Sequence, residues 1–140
     1  MKRFAVLVVD DDPDVLAITK MSLALDQALT VTGCSSGFQA MKLLTDSATH
    51  FDVLLLDMTL IDTTGLEIMA EINADPNIAI EVIFFTASVH RDAVSMYVRS
   101  GAIGVIAKPF DPLTLAAQVR DLIDGSNDAD MGRIGLTSSP

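Results

Sequence analysis

Val53-Leu54-Leu55-Leu56-Asp57-Met58-Thr59 is the stretch whose reading decides the fold. Its apolar run, Val53 to Leu56, reads as a strand buried on both faces, and a carboxylate follows at once. Asp is depleted in strands and costly to bury, so Asp57 belongs where that strand ends. In an open parallel sheet the carboxyl ends of the strands are where ligands bind. Alone, Asp57 reads equally well as the start of a turn. What changes that reading is the company it keeps at the other strand ends.

Working outward, the same pattern recurs. Phe4 to Val9 is an apolar first strand, halted by Asp10-Asp11-Asp12-Pro13. Asp12 is placed to cap the next helix and Pro13 to take its first position, which leaves Asp10 and Asp11 unexplained by capping. That helix runs to about Asp26, with Val15, Ile18 and Ser22 or Leu23 along one side. Leu29 to Cys34 is the second strand. Ser36-Gly37-Phe38-Gln39 reads as a capping box opening a helix to about Thr45, and Thr64-Gly65-Leu66-Glu67 as another, opening one that stops near Ala74 before Pro76. Ile80 to Phe85 is the fourth strand, ending at Thr86. Ser88 is a candidate cap for the helix that follows, and Gly101 its terminator. Ile103 to Ala107 is the fifth strand, ending at Lys108-Pro109. Asp111-Pro112 repeats the cap-plus-proline signal for a last helix that carries Leu115, Val119, Leu122 and Ile123 on one face and stops before Gly125.

Strict strand–helix alternation with short connections predicts a (βα)5 domain: a parallel sheet with helices on both faces. The domain is expected over residues 1–124, with 125–140 a flexible tail or the start of a linker. A chain of 140 residues with 50% apolar content supports one real core. Its net charge of -10 disfavours nucleic acid and anionic membranes as direct partners. Cys34 is the single cysteine, which argues for a reducing compartment. No stretch is long enough to cross a bilayer. The apolar run after Met1-Lys2-Arg3 is too short for a signal peptide and stops at three Asp. The expected location is the cytoplasm.

The polar strand ends are therefore Asp10 and Asp11, Asp57, Thr86 and Lys108. Adjacent carboxylates repel, and a hard divalent cation removes the conflict. Mg2+ suits a few carboxylates, a backbone carbonyl and retained waters. The ligands are too sparse for Ca2+. Zinc is disfavoured because His50 and His90 lie away from these strand ends, as ordinary surface or packing residues. No Ser-His-Asp arrangement emerges. A metal-held carboxylate can act as nucleophile toward phosphorus. Lys108 and the Thr86 hydroxyl would then meet the charge on the phosphoryl oxygens. Each is ordinary alone, as a solvated strand terminus or a β-former; together their charges are complementary.

Taken together, these motifs resemble the receiver domain of two-component response regulators. The resemblance runs from Phe4 to Asp124 and rests on Val6-Leu7-Val8-Val9-Asp10-Asp11, Leu54-Leu55-Leu56-Asp57, Gly65-Leu66-Glu67, Phe84-Phe85-Thr86-Ala87, Gly101-Ala102 and Lys108-Pro109-Phe110, in the family's order and spacing. It implies a flavodoxin-like three-layer sandwich whose five strands take the order 2-1-3-4-5, as in the chemotaxis receiver. It implies that Asp57 accepts a phosphoryl group from the phosphohistidine of a sensor histidine kinase or phosphotransfer protein. Asp11, Asp57 and the Thr59 carbonyl would ligate Mg2+ directly, with Asp10 acting through a metal-bound water. Lys108, before an expected cis Pro109, would pair with the carboxylate and then the phosphoryl group, and Thr86 would be the switch hydroxyl. The partner read out is a downstream output domain or protein. The resemblance implies that the face of the fourth helix, fifth strand and fifth helix would serve that readout and could serve homodimerisation. The chain would catalyse only its own phosphorylation and dephosphorylation.

Two positions depart from the family. Ile61 stands where proline is usual, and Val105 where an aromatic ring usually swings inward as the switch hydroxyl moves. Tyr97, the single tyrosine, is better read as packing or surface than as its replacement. Three other classes fit less well. A haloacid dehalogenase-like phosphatase needs an acid where Thr59 stands. An FMN carrier would set phosphate against three Asp. A degenerate receiver used for docking alone would not need the intact constellation.

Overall fold

The computed structural model describes residues 2–87, 89–127 and 135–137. In chain order the elements are β1 (Phe4–Val9), α1 (Pro13–Ala24), β2 (Leu29–Cys34), α2 (Gly37–Leu44), β3 (Val53–Asp57), α3 (Gly65–Ala74), β4 (Glu81–Thr86), α4 (Arg91–Arg99), β5 (Gly104–Ala107), α5 (Leu115–Asn127) and β6 (Gly135–Thr137). All pairings are parallel, and the five expected strands lie in the order 2-1-3-4-5. The sheet is buried on both faces because its central strands are apolar between their ends, with Glu81, Asp57 and Thr86 only at strand termini. Val6, Val8, Leu55, Ile83 and Phe85 point to the layer holding Leu23 of α1 and Leu115, Val119 and Leu122 of α5. Leu7, Val9, Leu54, Leu56 and Phe84 point to the opposite layer with Ala40, Ile68, Met69 and Val94 of α2, α3 and α4. Burying each such leucine contributes roughly 1.5–3 kcal/mol. Two packed cores thus hold the strands in register and fix where each carboxyl end emerges.

Several local readings change. Ser22 and Leu23 are buried as expected and Val15 packs against the core, but Ile18 is 48% exposed and Thr19 is buried in its place, because the sheet and α5 meet that side of the helix. Both capping boxes form only by half. Ser36 and Thr64 accept from the amides of Gln39 and Glu67, but Gln39 reaches the Ser35 amide and Glu67 the Thr63 hydroxyl. His90 caps α4 through the Ala93 amide, while Ser88 lies outside the described residues. The last helix begins at Leu115, with Asp111 holding the preceding turn through the Leu113 amide. It continues through Gly125 to Asn127 rather than stopping short, since one helical glycine costs only about 1 kcal/mol. The stretch read as tail also supplies β6, a sixth strand parallel to β5. Among the described residues no helix is long and apolar enough to cross a membrane.

Candidate functional site: a carboxylate cluster at the strand ends

Four strands deliver the site. Asp57 ends β3, Asp10 and Asp11 follow β1, Thr86 ends β4 and Lys108 follows β5. The register places Asp57 opposite Phe85 and Thr86 opposite Ala107, so the polar ends lie level across the sheet. Backbone bonds hold the connections: the Asp10 amide donates to the Cys34 carbonyl at 3.2 Å and the Lys108 amide to the Thr86 carbonyl at 2.9 Å. Asp12 is consumed by capping, accepting from the amides of Asp14 and Val15.

The Lys108 ammonium lies 2.9 Å from Asp10 and 3.4 Å from Asp57. It also sits 4.9 Å over the Phe85 ring, which in turn packs on Phe110. The Lys108–Pro109 peptide is cis, as expected from the resemblance. Asp10 is fully buried, and its other oxygen accepts from the Asp12 amide at 2.9 Å. Carboxylate oxygens of Asp10, Asp11 and Asp57 all lie within 4.8 Å of one another, and among the described residues they form the one cluster able to hold a metal ion. Burial pushes the Asp57 carboxyl above its ordinary value; Lys108 opposes that rise and the Asp10 charge adds to it. One ammonium, paired with Asp10 and Asp57, therefore stands against a cluster of three carboxylates, leaving it short of positive charge. The donor set is hard oxygen throughout, which fits Mg2+. Thr59 is compatible with this role. The bonds closing its bridge to Thr64 use the amides of Leu60 and Gly65 and neither the amide nor the carbonyl of Thr59. The Thr59 amide instead leans toward Asp57 at 3.4 Å.

The histidines stay out of the cluster: His50 pairs with Asp52, and His90 caps α4. Cys34 is a buried thiol raised to about 11 by desolvation, so it is inert as a nucleophile. Tyr97 is buried in the core with its ring 5.2 Å from that of Phe84, and Val105 is fully buried nearby in the same layer. Two features escaped the sequence. One is an apolar groove of about 410 Å³ beside Lys108, between Val15 and Ile18 of α1 and Phe110 and Pro112. The sequence carried no signal for it, because Ile18 reads there as part of the packed side of α1. The other is Asp62, whose partners lie 24 and 25 residues away and carry no local signature.

Residues 6–120 match the family model of the response regulator receiver domain. The chain is 35% identical over 107 residues to the transcriptional regulatory protein MalR of Bacillus subtilis, covering 76% of this chain and 44% of that protein. It is 32% identical over 138 residues to the DNA-binding response regulator MtrA of Mycolicibacterium smegmatis, covering 95% and 57%. The chain thus spans about half the length of these relatives. Among solved structures, the BeF3-activated receiver domain of DrrB from Thermotoga maritima superposes with a TM-score of 0.71 at 28% identity, covering 87% of this chain and 98% of that one.

Proposed function

The chain belongs to the response regulator receiver family of two-component systems, and from that premise we propose that Asp57 is its phosphoacceptor. The observation that carries the reading is the convergence of Asp10 and Asp57 on the Lys108 ammonium, at 2.9 and 3.4 Å, with Asp11 completing the cluster. Asp11, Asp57 and the Thr59 carbonyl would hold Mg2+, with Asp10 beside them; when bound, the ion supplies the positive charge that the cluster lacks and that a transferring phosphoryl group needs. An Asp57 carboxylate oxygen attacks the phosphorus of a phosphohistidine. The new P–O bond forms as the P–N bond breaks, and the electron pair leaves with the imidazole nitrogen. Lys108 follows the charge from carboxylate to phosphoryl oxygen, and the Thr86 hydroxyl meets a second oxygen. No other substrate is turned over.

The donor is a sensor histidine kinase or phosphotransfer protein in the cytoplasm, and the apolar groove bordering Lys108 gives such a protein a place to seat beside the acceptor. The reader is an output domain or protein, and the face formed by α4, β5 and α5 serves it and a homodimer. Val105 cannot fill the space an aromatic ring would, so switching runs through the backbone of the loop after Thr86. A phosphoryl mimic shifts a conformational equilibrium only by its differential affinity. Adding beryllium fluoride with Mg2+ should therefore shift the amide signals of Ala87 through Tyr97 and around Val105. Changes confined to the immediate neighbours of Asp57 would remove this switch face; no change at all would remove the phosphoacceptor reading.

A further inference from the structure

The loop joining β3 to α3 is closed on itself. The Leu60 amide donates to the Thr63 carbonyl at 3.0 Å and the Gly65 amide to the Met58 carbonyl at 2.7 Å. Its tip is then fastened to a different element. The two carboxylate oxygens of Asp62 each accept one amide from the first turn of α2, Gly37 and Phe38, both at 2.9 Å. These amides have no partner within their own helix, and a negative charge is favoured at that end. The bonds hold the Asp62 carboxyl below the ordinary carboxylate range, the Gly37 amide contributing most. The approach is close enough to require a glycine: a Cβ on Gly37 would fall 2.3 Å from Thr63 Cγ2 and 3.0 Å from Ile68 Cδ1. Ile61, next to the clamp, is 83% exposed and adds no packing there.

We infer that Asp62 is a positioning residue for the phosphoacceptor site. By clamping the loop tip to α2, it fixes the segment that carries the Thr59 carbonyl and follows directly on Asp57. The constraint that a proline at position 61 would build into the chain is supplied here from outside, by a carboxylate held in two charge-assisted bonds. The inference rests on the reading of the Asp10, Asp11 and Asp57 cluster as a Mg2+ site. Coupling between two binding events is reciprocal. If the clamp favours the metal, the metal must favour the clamp, and the α2 terminus becomes a sensor of site occupancy.

The test uses the full chain and two readouts. The Mg2+ dissociation constant is measured calorimetrically for wild type, Asp62→Ala, Asp62→Asn and Gly37→Ala, with Asp11→Ala as control. Hydrogen exchange at the Gly37 and Phe38 amides is followed with and without Mg2+. Asp62→Ala should weaken Mg2+ by roughly three- to tenfold, inside the two- to thirtyfold range, about 0.5–2 kcal/mol, by which residues coupled to a site without touching it can move it. Asp62→Asn keeps the shape and one acceptor, so it should fall between wild type and Asp62→Ala. Gly37→Ala pushes the loop away and should weaken Mg2+ without touching the carboxylate. In wild type Mg2+ should slow exchange at both amides by more than at the Ala28 amide, which Asp26 holds away from the cluster, and in Asp11→Ala it should slow none of them; a merely structural bond would slow only as much as that reference. Equal Mg2+ affinity in wild type and both Asp62 variants overturns the clamp while leaving the metal site standing. Wild type that binds no Mg2+, or binds it no better than Asp11→Ala, overturns the metal reading and the clamp with it.

Discussion

Two carboxylate–cation contacts of almost equal length join the first quarter of the chain to its last third. Lys108 lies 2.9 Å from Asp10, and Arg120 lies 3.0 Å from Asp26. The Asp26–Arg120 pair ties the end of α1 to α5 with one charge of each sign. Asp26 also accepts from the Ala28 amide at 2.8 Å, and that bond and the guanidinium draw its carboxyl below the ordinary value. At the strand ends the ratio is three carboxylates to one ammonium, and the Asp57 carboxyl moves the other way, upward, chiefly through burial. Similar distances thus mean different things. The pair between helices is satisfied and structural. The cluster carries an excess of negative charge that a bound cation would relieve, and perturbed carboxylates of this kind mark functional sites.

The comparison breaks first if the cluster does not need a cation. Mg2+ should raise the melting temperature of the wild type by mass action, about 2.7 kcal/mol at a hundredfold excess over its dissociation constant. Asp11→Ala should lose that shift entirely, and equal shifts in the two proteins would contradict the assignment. A smaller effect should follow from removing part of that excess charge. The folded Asp57 carboxyl titrates above the unfolded value of about 4. Between the two values the folded chain holds more protons than the unfolded one, so this group lowers stability as pH rises through that window. In metal-free buffer at neutral pH, Asp57→Asn should therefore melt above wild type; a lower melting temperature would show that the pairing with Lys108 outweighs burial. Asp26 has the opposite sign: its contribution is fully present above the unfolded value and is lost as pH falls through the depressed folded one. The smallest effect is the control. Arg120→Ala should cost about 0.5 kcal/mol, the scale of a partly exposed pair. That corresponds to on the order of 2 °C in melting temperature, and Mg2+ affinity should not change.

What the sequence made legible follows the same division. The strands that carry the cluster announced themselves, because a run such as Val53 to Leu56 ending in Asp57 has no other comfortable place than the end of a buried parallel strand. Asp12 and Pro13 marked the start of α1 without reference to anything distant. Contacts that depend on how two elements meet stayed hidden. Nothing near Ile18 says that α5 and the sheet turn that side of α1 outward. Nothing near Asp62 names two amides of α2. Asp26 and Arg120 are 94 residues apart and look like any surface charges. Gly125 misled because a terminator signal is also a tolerable helical residue, and the β6 segment lacks the length and apolar run that identified the other strands.

The central claim is that Asp57 takes the phosphoryl group, and locating that group tests it most directly. The chain should be incubated with a small-molecule phosphodonor and Mg2+, and the acyl phosphate trapped and mapped by mass spectrometry, beside Asp57→Asn treated identically. The account predicts one modified residue, Asp57, in wild type, no stable label in Asp57→Asn, and loss of label when Mg2+ is chelated beforehand. Labelling of Asp57→Asn at the wild-type rate, or a phosphoryl group mapped to any residue other than Asp57, would contradict it.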